Sequence, residues 1–157
     1  MMTLNSFNFN TTSGIRFGSG QAKDSCKEIF NKLGSRILFI TDKGLMSLGL
    51  TKPTIEEIKK MASVEVFDDV EADPSQKTLL KVIEIGKKFK TTGVIGFGGG
   101  SSMDVAKLSA LILGSNEDLE KVWGVENAKG PRLPLVLFPT TAGTGSEVTP
   151  ISIITVG

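Results

Sequence analysis

Short apolar runs and amphipathic runs take turns four times in about 100 residues, and that alternation restricts the fold of this chain more than any other feature. "RILFITD" gives an apolar strand at 36–41 of the kind buried on both faces. Residues 53–62 follow as a short helix, with Pro53 near its start and Ile55, Ile58 and Ala62 on one side, and "VEVFDD" returns to strand. In "ADPSQKTLLKVIEIGKKFK", Asp73 can cap and Pro74 can take the first helical position, leaving Leu79, Val82, Ile83 and Phe89 to face inward. A strand at 93–97 runs into a helix at 101–113 whose only charges are Asp104 and Lys107. After a loop region containing Trp123, "PLVLFPTT" supplies a further strand. The expected fold is α/β: a Rossmann-like parallel sheet with helices on both faces.

Both ends of the chain add to this core. Phe7 and Phe9, then Ile15 and Phe17, alternate around a polar Thr-Thr-Ser-Gly centre and predict a β-hairpin. Ala22, Cys26, Ile29, Phe30 and Leu33 mark one face of a helix closed by Gly34. "EVTPISIITV" alternates as a strand or hairpin and runs almost to the last position with no closing element after it, so the chain is expected to be one domain of a longer protein.

Composition removes several functions. Eighteen basic and 17 acidic residues give a net charge of +1, with no long like-charged run, so neither nucleic acid nor a membrane surface is an expected partner. No apolar run approaches the ~18–20 residues that span a bilayer, and the first residues lack the layout of a signal peptide. The single Cys26 cannot pair internally, which fits a reducing, cytoplasmic setting, and its helical spacing suggests packing. There is no histidine, which removes the ordinary catalytic triads and most zinc sites. No catalytic residue is expected within the chain itself.

In a parallel sheet, ligands bind beyond the carboxyl ends of the strands. Three such ends are chemically unusual. In "GFGGGSSMDVAK", Gly98, Gly99 and Gly100 strip side chains from the mouth of a helix, where unpaired N–H groups favour an anion such as a pyrophosphate. Ser101 and Asp104 have the spacing of a capping box, which accounts for both without a ligand, though Ser101 could cap and still meet a phosphate oxygen. The run lacks the third glycine of G-x-G-x-x-G and follows a late strand, and no P-loop sequence occurs. Asp42 closes "ILFITD": it could accept hydrogen bonds from both ribose hydroxyls of an adenosine and repel a 2′-phosphate, favouring NAD over NADP, or simply cap "DKGL". In "FPTTAGTGSEVT", Thr140, Thr141, Thr144, Ser146 and Thr149 crowd hydroxyls onto one strand exit, enough to hold a polar ring or a ribose, or to make an ordinary Ser/Thr-rich turn.

Taken together, "GFGGGSSMDVAK" and "FPTTAGTGSEVT", about forty residues apart and preceded by "ILFITD", resemble the iron-containing (group III) alcohol dehydrogenases, and the whole chain aligns with that family's N-terminal half. The resemblance implies that residues 1–157 are the dinucleotide-binding domain, for NAD, of a two-domain enzyme. In it Asp42, and with it Asp73, meets the adenosine ribose; Gly98, Gly99, Gly100 and Ser101, with Asp104 beside them, hold the pyrophosphate; and Thr140, Thr141, Thr144 and Thr149 approach the nicotinamide half. It also implies a divalent metal, iron or zinc, held by an Asp and three His of a helical second domain in the full-length enzyme, where the metal polarises a small alcohol or aldehyde substrate. That domain is absent from these residues, so the chain by itself is expected to be inactive. A homodimer is expected through the N-terminal strand. Two alternatives stand beside this one: a cofactor domain like those of glycerol dehydrogenase or dehydroquinate synthase, and a stand-alone nucleotide-binding module without catalysis.

Overall fold

The computed structural model describes residues 11–157. Four strands, β1 (Arg36–Ile40), β2 (Ser63–Phe67), β3 (Gly93–Gly98) and β4 (Leu135–Pro139), pair in parallel throughout in the order β2-β1-β3-β4. Between them lie α3 (Lys43–Ser47), α4 (Lys52–Lys59), α5 (Gln76–Phe89), α6 (Gly100–Ser115) and the single turn α7 (Leu119–Val122). Ahead of β1 come α1 (Gln21–Asp24) and α2 (Cys26–Leu33). No helix among the described residues is long and apolar enough to cross a membrane.

Side chains alternate across the sheet and divide the core in two. Leu38, Ile40 and Val94 point toward α5 and α6, where Leu79, Val82, Ile83, Val105 and Ala106 bury against them. Ile37, Phe39, Ile95 and Phe97 point the other way, onto Cys26, Leu33, Ile55 and Ile58. On that second face Phe39, Phe97 and Phe138 stack across three strands, with ring centroids 5.8 and 5.6 Å apart. Cys26 is a core residue: its thiol donates to Ala22 O at 3.2 Å, and burial pushes its pKa up, which keeps it protonated and unreactive.

Several elements differ from the sequence expectations, each for a local reason. The helix expected to run unbroken through Ala22–Leu33 is interrupted at Ser25, whose hydroxyl bonds Gln21 Oε1 at 2.9 Å. Helix α5 is capped by Ser75, not Asp73. Asp73 sits at φ 51°, away from the extended backbone from which a side chain reaches the first-turn amides, whereas extended Ser75 presents Oγ to Thr78 N at 3.2 Å. Glu71 braces this turn, accepting from Ser75 N (2.9 Å), Ser75 Oγ (2.8 Å) and Thr78 Oγ1 (2.8 Å). Burial opposes its charge, but these hydrogen bonds outweigh that and hold its carboxyl down to about 2. The loop region around Trp123 contains one helical turn, α7, begun by Asp118 accepting from Glu120 N at 3.1 Å.

The predicted terminal strands are not formed in the described residues. The arm of the hairpin bearing Phe7 and Phe9 lies outside them, and Ile15 and Phe17 are exposed without strand pairing. "EVTPISIITV" makes one isolated bridge, Thr155 with Ser75. The backbone groups that a strand there would pair are used otherwise: Lys107 Nζ takes the carbonyls of Thr149 and Ile151, Asp104 takes the Ile153 amide, and Pro150 has no N–H.

Candidate functional site

From β1 the chain passes to β2 on one side, then crosses back to β3 on the other. The exits of β1 and β3 therefore diverge, and the crevice of such a sheet opens between them. Asp42 leaves β1 and Gly98 to Gly100 leave β3. The two exits touch, since a Cβ at Gly98 would stand 3.3 Å from Leu45 Cδ1.

The glycines of this region serve two purposes. Gly96 faces α6, where a Cβ would fall 2.6 Å from that of Ala106 and 2.8 Å from Leu137 Cδ2, so its bareness lets helix and sheet meet. Gly98, at φ 151°, would bring a Cβ within 2.8 Å of Ser102 Oγ. Both are demanded by the fold. Gly99 and Gly100 are not: a Cβ on either would make only ordinary contacts, 3.5 Å to Thr141 Oγ1 and 3.4 Å to Thr144 Cγ2. Their lack of side chains leaves open space at the start of α6.

That start has no side-chain cap. Gly99 is the N-cap, in extended conformation, and the first turn closes with Met103 N on Gly99 O at 3.2 Å. The amides of Gly100, Ser101 and Ser102 thus point out of a 16-residue helix with its positive dipole end behind them, a cradle that suits a diphosphate. The predicted capping box does not form: Ser101 lies inside the first turn, and Asp104 is committed elsewhere. Asp104 is 8 % exposed; its Oδ1 accepts from Ser146 Oγ at 2.6 Å and pairs with Lys107 Nζ at 3.0 Å, while Oδ2 accepts from Ile153 N at 3.0 Å. Its carboxylate is turned to the segment after β4.

Asp42 is both carboxylate and cap. It is half-buried, and its Oδ1 accepts from Leu45 N at 3.0 Å, which engages one oxygen of two. Asp73 is exposed, and its carbonyl accepts from Thr155 Oγ1 at 3.5 Å, tying it to the C-terminal segment.

The exit of β4 folds over the glycines almost residue for residue. Thr140 N donates to Gly98 O at 2.9 Å, Thr141 stands beside Gly99 and Thr144 beside Gly100. Thr140, Thr141, Thr144 and Thr149 are all exposed. Thr149 ends a turn in which its amide and that of Val148 both donate to Gly145 O. Two of the three unusual strand ends, glycines and threonines, are thereby brought into one surface, with Asp42 across the crevice.

Sequence reasoning missed what anchors this loop, namely Lys107 with Ser146. The available signal was an i,i+3 charge pair on a helix otherwise made of uncharged residues. It also missed Glu147, whose Oε2 is buried without a hydrogen-bond partner and lines a cavity of 290 Å³ with Lys107, Leu111, Arg132, Leu137 and Thr149, outside the glycine crevice. No cluster of three or more His, Cys, Asp or Glu fit for a metal occurs among the described residues.

Comparison with known proteins agrees with this geometry. The profile of the iron-containing alcohol dehydrogenase family matches residues 12–157. The chain is 34 % identical over 146 residues to sulfoacetaldehyde reductase of Bilophila wadsworthia, covering 92 % of this chain, and 38 % identical over 152 residues to choline dehydrogenase of Bacillus subtilis, covering 94 %. It spans 38 % of the length of each of these relatives. Among solved structures, sulfoacetaldehyde reductase from Bifidobacterium kashiwanohense in complex with NAD+ superposes with a TM-score of 0.79 at 32 % identity, over 96 % of this chain and 40 % of that one. By its parallel sheet, its glycine turn and these matches, the chain belongs to the iron-containing alcohol dehydrogenase family.

Proposed function

We propose that the chain is the NAD(H)-binding part of a metal-dependent alcohol dehydrogenase, which moves hydride between a small alcohol or aldehyde and nicotinamide. The uncapped start of α6 behind Gly99 and Gly100, at the switch point of the sheet, is the observation that carries this reading. In it the amides of Gly100, Ser101 and Ser102 hold the diphosphate, Gly98 sets the turn, and the dipole of α6 stabilises the charge. Asp42 accepts from the adenosine ribose hydroxyls and repels a 2′-phosphate; Asp73 is assigned to the same ribose from the family resemblance. With the adenosine on the β1 side, the other half of the dinucleotide extends over the exit of β4, onto Thr140, Thr141, Thr144 and Thr149. Asp104 acts there indirectly, through the loop. When bound, NAD supplies the hydride acceptor. From the family resemblance the metal is assigned to a second domain of the whole enzyme, and the part of this chain to binding and orienting the dinucleotide. Alone, these residues bind the cofactor and turn over no alcohol; in the whole protein they assemble as a homodimer.

Titration with NADH and NADPH, followed by cofactor fluorescence, tests the reading. NADH binding more tightly than NADPH is expected, and equal affinity would remove Asp42 from its role. Gly99→Val fills the cradle at a position where a Cβ meets only ordinary contacts, so it should lose NADH while costing no more than the ~1 kcal/mol of a poorer helix N-cap; undiminished affinity in that variant would reduce the turn to packing.

A further inference from the structure

Thr144 and Thr149 are exposed, yet the loop that bears them is fastened by charges withdrawn from water. The side chains of Lys107 and Asp104 are 10 % and 12 % exposed and pair at 3.0 Å. All three ammonium protons of Lys107 have acceptors: Asp104 Oδ1, Thr149 O at 3.4 Å and Ile151 O. Asp104 in turn receives the Ser146 hydroxyl and the Ile153 amide. Four bonds thus run from one helical turn to residues 146, 149, 151 and 153, two to carbonyls, one to an amide and one to a hydroxyl. Burying an ion pair rarely adds net stability over apolar residues of similar size, so simple cohesion is a poor account of it.

From this arrangement we infer that Asp104 and Lys107 are positioning residues: they hold the Thr144–Thr149 loop at a fixed height above the glycine turn, so that the second half of the dinucleotide meets a preformed surface. The inference rests on the reading of that crevice as a dinucleotide site. One rigid element, α6, then supports both halves of the ligand, its first turn through amides and its next turn through the clamp. A preset loop avoids the ordering cost of binding, and losing the clamp should return that cost for the far half alone.

The test compares two ligands, ADP, which reaches only the adenosine and diphosphate positions, and NADH, which spans the whole crevice. Lys107→Met should weaken NADH by about tenfold and ADP by less than about twofold in calorimetric titration, a loss on the scale of two or three hydrogen bonds. Lys107→Arg, which keeps charge and donors, should restore most of the NADH affinity. Ser146→Ala frees the loop from its own side and leaves the ion pair in place; it should shift NADH by about threefold, again with ADP unmoved, and it carries the test if Lys107→Met does not fold. Full NADH affinity in a folded Lys107→Met chain, or equal losses of ADP and NADH, would overturn the clamp while leaving the site intact. Failure of the unaltered chain to bind either ligand would overturn the site and the clamp together.

Discussion

The exits of β3 and β4 meet over one crevice but are secured in opposite ways. Beyond β3 the chain has nothing to adjust: Gly96 is locked against Ala106, Gly98 holds a backbone that other residues resist, and the groups left open at the start of α6 are main-chain amides. Beyond β4 the open groups are exposed hydroxyls, and their placement depends on side chains reaching across from a neighbouring helix. The first arrangement suits a group common to every nucleotide, a diphosphate. The second suits the part that distinguishes one ligand from another, because hydroxyls can be exchanged without disturbing the core.

The largest expected effect breaks the β3 side from beneath. Gly96→Val should destabilise the chain by about 3 kcal/mol, since neither Ala106 nor the sheet can withdraw, and a denaturant midpoint would read it. Gly99→Val sharpens the contrast nearby, with roughly a hundredfold loss of NADH affinity, about 2.7 kcal/mol, and a stability loss of no more than about 1 kcal/mol from the poorer helix N-cap. Asp42→Ala should remove both a helix cap and a ribose acceptor, costing about 1 kcal/mol of stability along with NADH affinity, whereas Asp42→Asn keeps the cap. The preference for NADH over NADPH should fall in both variants. On the β4 side, Thr144→Ala and Thr149→Ala should each lower NADH affinity by only about threefold to fivefold and leave melting untouched. A separate effect, on stability alone, lies away from the crevice, at Glu71. Its carboxyl is held down to about 2 in the folded chain, so its contribution to stability is present above the ordinary carboxylate range and is lost as pH falls toward 2. Glu71→Gln should therefore flatten the acid limb of a stability profile between about pH 4.5 and 2 and lower stability at neutral pH.

What could be read in the sequence follows the range of the interactions concerned. The strand and helix alternation, the burial of Leu79, Val82 and Ile83, and the glycine turn all depend on neighbours within a few residues, and all were legible. Asp42 as a cap belongs to the same class. The capping box at Ser101 and Asp104 had the right spacing, but the residues that engage Asp104 lie 42 and 49 positions downstream, where no local pattern reaches. "EVTPISIITV" misled for the same reason: its alternation is real, but its backbone is claimed by α6. At Asp73 the error was of two residues, because a left-handed φ cannot be told from the letters "ADPS" when both Asp and Ser are good caps.

The close seating of α6 on β3 at Gly96 and Ala106 bears on how the crevice can fill. A helix with no clearance beneath it can neither slide nor recoil, so its amides stand ready before anything arrives. On the reading proposed above, a diphosphate would then meet donors already in place, and its binding would spend nothing on arranging them.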